Sequence, residues 1–149
     1  MNLDDYHFEI KEELIDSLRN YIQYDGYELC GVLTGIKVDE KTYRICKVSP
    51  PCVKTHSRYG CERDAESANH FIKEDYEVSD HTRTYMGEWH THPEYVPKPS
   101  SVDYRSIENN FFTSTHTSPF LIMIIVGLES IYYSVYNGDV FVEIEPEIV

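Results

Sequence analysis

The chain has 149 residues, the usual size of one domain, and we predict a single domain over 1–149. Its formal net charge of −13 repels nucleic-acid backbones and anionic membrane surfaces, so we predict neither as a partner. The longest apolar run, 120–126, is too short to span a bilayer. The first residues, Met-Asn-Leu-Asp-Asp, lack the basic and apolar regions of a signal peptide, which predicts a cytoplasmic protein.

The first half of the chain alternates strand and helix patterns. In order, the predicted elements are a strand over 6–10, a helix over 12–24, strands over 27–36 and 43–48, and an irregular loop over 52–63. The helix has an apolar stripe that we expect to pack on a sheet, with Gln23 on its polar side. Asp25-Gly26 is the predicted stop signal of this helix.

The second half continues this alternation and then becomes strand-rich. The predicted elements are a helix over 64–77, a strand over 84–92, a helix over 101–112, a strand over 120–126 that is buried on both faces, and strands over 131–136 and 140–144. Asp64 is a possible N-cap, and Asn137-Gly138 is a hairpin signal. This order of elements predicts an α/β protein with a mixed sheet and helices on both of its faces.

Four cysteines occur, Cys30, Cys46, Cys52 and Cys61, and none forms a Cys-x-x-Cys pair. A zinc knuckle built from cysteines is therefore not expected. In a cytosolic chain four free thiols are the default expectation. Cys52 and Cys61 flank a short loop and could approach each other, so the sequence leaves open whether this pair forms a bridge.

Two histidines stand one residue apart on the strand predicted over 84–92. Because side chains alternate along a strand, His90 and His92 project from the same face. Two imidazoles on one face are half of a zinc site, and a carboxylate from the next element can supply the third ligand. The fourth position is then left for water, which is typical of catalytic zinc. Pro93 ends the strand pairing directly after the second histidine.

Ser100 and Asp103 form a Ser-x-x-Asp pattern at the start of the next predicted helix. By itself this pattern is more typical of a capping box, in which Ser100 is the N-cap and Asp103 stands at N3. Joined to the two histidines by a short, proline-stiffened loop, the pattern also makes Asp103 the candidate third metal ligand.

These residues resemble the JAMM (MPN+) zinc metalloproteases. His90-x-His92-Pro93 is followed by Ser100-x-x-Asp103, with seven residues between His92 and Ser100. The upstream glutamate of that family sits in a Glu-x-Cys-Gly-x-Leu-x-Gly setting, which matches residues 28–35 here. The resemblance implies the cytidine-deaminase-like α/β fold of JAB/MPN domains, a mixed sheet flanked by helices.

The resemblance also implies a role for each residue. His90, His92 and Asp103 would bind one Zn²⁺ per chain, Glu28 would be the general base, and Ser100 would donate to an oxyanion. A lone glutamate at the start of an apolar strand is otherwise best explained as an edge charge in water. The family resemblance, not the spacing, therefore connects Glu28 to the histidines.

The reaction that this resemblance implies is hydrolysis of an isopeptide or linear peptide bond. Family members commonly act on conjugates of ubiquitin or ubiquitin-like proteins, whose extended C-terminal tail is bound as an added strand. The amino-acid sequence of residues 87–94 and the small size of the chain resemble the bacterial deconjugases of CBASS antiphage operons, which release a nucleotidyltransferase from its targets. The loop over 52–63 contains Ser57-Arg58-Tyr59 and ends at Arg63-Asp64. Both motifs resemble a segment that borders the substrate groove in bacterial members, although a solvent loop explains them equally well.

Three alternatives remain open from the sequence. One is processing of a sulfur-carrier or ubiquitin-like precursor, and another is a non-catalytic MPN-type scaffold that only binds a partner. Such scaffolds usually lack metal ligands, whereas this chain has the whole set. The third is a relative of the RadC-type DNA-associated proteins, which share His-x-His-Pro, but the negative charge of the chain disfavours a DNA partner.

Overall fold

The strands of this protein form a mixed eight-stranded sheet and a separate two-stranded hairpin. The computed structural model describes residues 3–24 and 26–149. The strands are β1 (His7–Ile10), β2 (Cys30–Lys37), β3 (Thr42–Val48), β4 (Val53–Ser57), β5 (Gly60–Arg63), β6 (Thr84–Thr91), β7 (Leu121–Val126), β8 (Ile131–Tyr136), β9 (Phe141–Glu143) and β10 (Glu147–Ile148). The sheet has the order β10-β1-β3-β2-β6-β7-β8-β9, and β4 pairs with β5.

Helices cover both faces of this sheet. They are α1 (Glu12–Arg19), α2 (Ala65–Val78) and α3 (Ser101–Thr113), and a short 3₁₀ helix, Leu3–Asp5, precedes β1. Leu14 and Leu18 of α1 pack into one apolar cluster with Trp89. Ala68 of α2 and Ile107 of α3 belong to a second cluster. Strand β7 contributes alternate residues to both clusters, which confirms the prediction that it is buried on both faces.

The centre of the sheet brings β2, β6 and β7 together. Strand β6 pairs antiparallel with β2 and parallel with β7, and Cys30 lies opposite His90. Gly31 allows a close approach at this point, because a Cβ atom there would collide with the indole of Trp89. The carboxyl end of β6, which carries the histidines, therefore lies beside the amino end of β2.

Helix α1 is shorter than predicted, since it ends at Arg19 and not at residue 24. The amides of Tyr21 and Ile22 bond to carbonyls three residues back, so the chain tightens and leaves the helix. Gln23 was predicted on the polar side of this helix, but it is only 4% exposed and points inward. In the predicted stop signal Asp25-Gly26, Asp25 lies outside the described residues.

The segment 52–63 is not the irregular loop that we predicted. It forms the hairpin of β4 and β5, in which His56 pairs with Cys61 and Ser57 pairs with Gly60. Strand β2 also begins later than predicted, at Cys30, so Glu28 precedes the strand. The short strand β10, which pairs in parallel with β1, has no counterpart in the prediction. No helix in the described part of the chain is long and apolar enough to cross a membrane.

A buried ion pair fastens α2 to the sheet. Asp75 accepts two bonds from Nε and one from Nη2 of Arg83, and it also accepts a 2.6 Å hydrogen bond from Thr34 of β2. Burial alone would raise the pKa of Asp75, but the bonds from Arg83 and Thr34 outweigh it and lower that pKa.

We therefore expect Asp75→Asn to lower the free energy of unfolding near neutral pH by about 3 kcal/mol. Because the pKa of Asp75 is lowered on folding, its stabilising effect is complete above its unfolded pKa and is lost as the pH falls through the lower folded value. Urea unfolding of both proteins between neutral and acid pH checks this: the difference should shrink in acid. The matched control is Glu74→Gln on the exposed side of α2, and equal stabilities of wild type and Asp75→Asn at neutral pH would contradict the prediction.

Candidate metal centre and catalytic cleft

Two histidines and two carboxylates meet at the carboxyl end of β6. His90 is the next-to-last residue of that strand, and His92 directly follows the strand. Asp103 comes from the first turn of α3, while Glu28 comes from the segment before β2. The structure thus brings together the predicted metal ligands and the predicted general base from three separate parts of the chain.

The donor atoms of His90, His92 and Asp103 have the spacing that a tetrahedral ion requires. The two Nε2 atoms are 3.2 Å apart. Nε2 of His90 lies 3.2 Å from Oδ1 of Asp103, and Nε2 of His92 lies 3.2 Å from Oδ2 of the same carboxylate. A tetrahedral ion with bonds of about 2.0–2.1 Å separates its ligands by about 3.3 Å. These three residues, called the metal group below, could therefore hold a metal ion. Two nitrogens and one oxygen are a donor set that zinc accepts.

Glu94 orients the second histidine. Nδ1 of His92 donates to Oε1 of Glu94 over 2.8 Å, which leaves Nε2 free to face His90 and Asp103. A carboxylate behind a ligating histidine fixes its tautomer and its ring plane. Burial lowers the pKa of His92, but its contacts with Asp103, Glu94 and Glu28 outweigh this and raise it to about 9.

The start of α3 holds Asp103 in place. Ser100 is the N-cap, its hydroxyl accepts from the amide of Asp103 over 3.2 Å, and its own amide donates to Oδ2 of Asp103 over 2.7 Å. The capping box and the metal group therefore share one carboxylate, so the two interpretations of Ser-x-x-Asp are compatible. Burial would raise the pKa of Asp103, but the bonds from His90 and His92 hold it far below its usual range.

The carboxylate of Glu28 lies at the edge of this group. It is 4% exposed, and its Oε1 is 3.7 Å from Nε2 of His92. Burial raises the pKa of Glu28 to about 7, although the nearby His92 lowers it in part. A carboxyl group whose pKa lies near neutrality is suited to accept and return a proton.

The hairpin of β4 and β5 holds the backbone of Glu28. The amide of Glu28 donates to the carbonyl of Ser57 over 2.8 Å, and the carbonyl of Glu28 accepts from Nδ1 of His56 over 2.9 Å. His56 of β4 thus has a structural bond to the backbone of Glu28. The segment 52–63 borders the site, in agreement with one of the two interpretations of its sequence.

A cavity of about 350 Å³ opens beside the metal group. Residues 59–63 of the hairpin form one wall and residues 102–110 of α3 form the other, while Glu28, His90 and Asp103 lie at its metal end. Tyr59 and Val102 are exposed apolar side chains on opposite walls. The cavity has the form of a cleft that could receive an extended chain next to the metal group.

An ion pair joins the two walls of this cleft to the sheet. Nε of Arg63 lies 2.6 Å from Oε1 of Glu88, and Nδ2 of Asn110 donates to the same oxygen over 2.9 Å. Arg63 belongs to the hairpin, Glu88 to β6 and Asn110 to α3. Burial raises the pKa of Glu88 to about 7, even though Arg63 opposes this. The cluster therefore ties both walls of the cleft to the same carboxylate of β6.

A disulfide bond between Cys30 and Cys61 also joins the hairpin to β2, and it corrects the expectation of four free thiols. The open question about Cys52 and Cys61 is answered too, because Cys61 pairs with Cys30, whereas Cys46 and Cys52 are free and buried among the described residues. The reason is the hairpin: it returns the chain so that the Cα atoms of Cys30 and Cys61 are 6.1 Å apart.

We expect two reactive thiols per chain in denatured, unreduced protein, and four after reduction. A bridge between residues 31 positions apart stabilises a protein by about 3 kcal/mol, so a reductant should lower the Tm by roughly 10 °C. Thiol titration and thermal unfolding, each with and without reductant, check both statements. The matched control is Cys61→Ser, whose Tm should not respond to the reductant, and four thiols before reduction would contradict the bridge.

Sequence reasoning did not find Glu94, His56 or Gln23 near this site. Glu94 had a usable signal, since an acid stands two residues after a candidate ligand. His56 and Gln23 had none, because their contacts depend on a hairpin and a turn that the sequence patterns did not predict.

The mixed sheet flanked by helices confirms the predicted α/β class, and two histidines at the end of a central strand with an aspartate on the following helix are the arrangement that the JAB/MPN resemblance implied. Residues 11–138 match the family of prokaryotic homologues of the JAB domain. The chain belongs to this family, and the resemblance read from its sequence is confirmed.

Known relatives agree with this assignment. A CD-NTase/cGAS isopeptidase from Escherichia coli (strain TW11681) is 31% identical over 134 residues, which cover 87% of this chain and 83% of the relative. A CD-NTase/cGAS isopeptidase from Vibrio cholerae serotype O1 (strain ATCC 39315 / El Tor Inaba N16961) is 33% identical over 102 residues, which cover 67% of this chain and 62% of the relative. The solution structure of a protein from Desulfitobacterium hafniense superposes with a TM-score of 0.67 at 18% identity, covering 95% of this chain and 91% of that one, and supports the fold alone.

Proposed function

We propose that this protein is a zinc-dependent isopeptidase that hydrolyses the amide bond joining the C-terminus of a CD-NTase, or of a ubiquitin-like protein, to its target. The observation that carries the proposal is the donor set of His90, His92 and Asp103 with the buried carboxylate of Glu28 beside it. The two isopeptidase relatives support the class of substrate.

His90, His92 and Asp103 would hold one zinc ion. When bound, zinc would supply Lewis-acid chemistry, because it lowers the pKa of a water towards ~7 and polarises a carbonyl. Glu94 keeps His92 in the tautomer that ligation requires. Hydroxyl Oγ of Ser100 accepts from the amide of Asp103, so its own proton is available for a substrate oxygen.

Glu28 would accept the proton of the attacking water and deliver it to the amine that leaves. The raised pKa of Glu28 suits both halves of this task, because a base that holds its proton too weakly cannot return it. Ser100 would donate a hydrogen bond to the oxyanion that develops on the scissile carbonyl. The bond between carbonyl carbon and amide nitrogen breaks, and the products are a free C-terminal carboxylate and a free amine.

The cleft between the hairpin and α3 would bind the extended C-terminal tail of the substrate. Its two walls and its metal end give it the shape of a channel that leads to the metal group. An extended tail can also add backbone hydrogen bonds to an exposed strand edge, which is how such chains are commonly recognised.

The test is a cleavage assay with the zinc-loaded protein. The substrates are a CD-NTase joined through its C-terminus to a lysine of a target, and the same CD-NTase fused linearly to that target. We expect release of both components from the lysine conjugate and loss of this activity with a chelator. An intact conjugate that is nevertheless bound would overturn the proposal in favour of a scaffold, and cleavage of the linear fusion alone would indicate precursor processing.

Ser100→Ala is expected to reduce kcat about 10²–10³-fold, since that is the usual effect of losing one oxyanion donor. The variant also loses a helix cap, which costs about 1 kcal/mol of stability. Asp64→Ala controls for this, because Asp64 is the N-cap of α2 and accepts from the amide of Ser67. Steady-state kinetics and thermal unfolding of both variants check the prediction, and an equal kcat in the two variants would contradict it.

We propose the cytoplasm as the compartment, as the sequence suggested. A disulfide between Cys30 and Cys61 is unusual in a reducing cytoplasm, so the thiol titration described above also bears on this proposal.

A further inference from the structure

A buried chain of hydrogen bonds, called the relay below, joins Gln23, Thr91 and the backbone of Leu29. It lies on the side of β6 that faces away from the histidine donor atoms. Thr91 stands between His90 and His92, and strand alternation turns its side chain to the other face. Thr91 is fully buried, and its hydroxyl donates to Oε1 of Gln23 over 3.1 Å. The hydroxyl oxygen of Thr91 in turn accepts from the amide of Leu29 over 3.0 Å. The relay thus connects the strand of the metal group to the residue after Glu28.

Gln23 extends this relay to the residues before Glu28 and to the hairpin. Its amide nitrogen donates to the carbonyl of Gly26 over 3.1 Å and to the carbonyl of Arg58 over 3.3 Å. Both ends of the Gln23 amide are therefore paired inside the protein. If one of these partners is removed, a buried donor or acceptor of the Gln23 amide is left without a hydrogen bond, which lowers the stability of the folded protein.

The relay acts where the pairing of β2 and β6 ends. The amide of Thr91 donates to the carbonyl of Leu29 over 3.0 Å, as in a regular ladder. In the other direction, the amide of Leu29 bonds to the side chain of Thr91. The hydroxyl of Thr91 therefore takes the place of a backbone carbonyl at the point where the chain enters the sheet, and Glu28 is the residue directly before Leu29.

We infer that Gln23 and Thr91 are positioning residues that hold Glu28 at the edge of the metal group. The inference rests on the proposed function, in which Glu28 is the general base. The side chains of Gln23 and Thr91 bond to each other and to backbone groups on both sides of Glu28, so they act on Glu28 through its backbone neighbours. The hairpin bonds from Ser57 and His56 hold the same residue from the other side.

The test compares Thr91→Val with Thr91→Ser in the zinc-loaded protein. Valine has nearly the shape of threonine but neither donates to Gln23 nor accepts from Leu29. We expect kcat to fall about 10²-fold, as happens when a catalytic group is displaced by about 1 Å, with KM and zinc content unchanged. Thr91→Ser keeps the hydroxyl and should retain activity within about threefold, and Gln23→Met should lower kcat in the same way as Thr91→Val.

Thr34→Val is the matched control. Thr34 is also a fully buried strand threonine, but its hydroxyl donates to Asp75 of α2. A kcat of Thr91→Val equal to that of Thr34→Val, in a wild type that cleaves the conjugate, would overturn the inference.

If the zinc-loaded wild type cleaves no conjugate, the proposed function fails, and hydrogen exchange then tests the relay on its own. We expect the amide of Leu29 to exchange about tenfold faster in Thr91→Val than in wild type, and to be unchanged in Thr34→Val. Unchanged exchange at Leu29 in Thr91→Val would overturn the relay itself.

Discussion

Replacing Asp103 by alanine is expected to abolish metal binding. Wild-type protein loaded with zinc should carry about one ion per chain, and Asp103→Ala should carry almost none after the same dialysis. The reason is that Asp103 supplies the oxygen of the donor set and lies 3.2 Å from both histidine nitrogens. Two imidazoles alone leave a tetrahedral ion half-ligated. Elemental analysis of the two proteins, prepared side by side, makes the measurement.

The matched control is Glu108→Ala, which removes one negative charge from an exposed position of the same helix. It should keep the ion, because Glu108 is not part of the donor set. Zinc content of the wild type should also fall in acid, since ligation requires neutral imidazoles and an ionised carboxylate. About one zinc per chain in Asp103→Ala would contradict the prediction and remove the basis of the zinc-dependent proposal.

Much of this site could be predicted because its signals are local. The alternation of β6 puts His90 and His92 on one face, and the capping box of Ser100 and Asp103 fixes the first turn of α3. The apolar run of β7 and the turn around Asn137-Gly138 likewise gave their elements directly. Patterns of this kind depend on neighbours along the chain, which sequence reasoning can follow.

The features that were missed depend on contacts between distant residues. The Cys30–Cys61 bridge forms because the hairpin returns beside β2, whereas the sequence predicted four free thiols and left open only a pairing of Cys52 with Cys61. Gln23 was assigned to a polar helix face because the periodicity continued past Arg19, where the tighter turn begins. Tertiary burial then gave Gln23 three partners that no local pattern specifies. The link between Glu28 and the histidines came from the family resemblance, not from spacing.

Glu28→Gln is expected to reduce kcat about 10²–10⁴-fold while the zinc content stays at about one per chain. Glutamine has the size of glutamate but cannot accept the proton of the attacking water. Because Glu28 lies 3.7 Å from His92 and outside the donor set, the ion should remain. The variant should therefore bind the conjugate without cleaving it, and single-turnover assays together with a pull-down of the intact conjugate measure both properties.

Stability separates a catalytic effect of this substitution from a structural one. Burial raises the pKa of Glu28, so the ionised carboxylate opposes folding at any pH above its unfolded pKa. A neutral glutamine removes this cost, and metal-free Glu28→Gln should melt at or above the temperature of the metal-free wild type at pH 8. Glu40→Gln, an exposed acid in the turn between β2 and β3, is the control that should keep activity. Full activity in a well-folded, zinc-loaded Glu28→Gln protein would assign the proton transfer to another group, whereas a lowered melting temperature would attribute the loss of activity to misfolding.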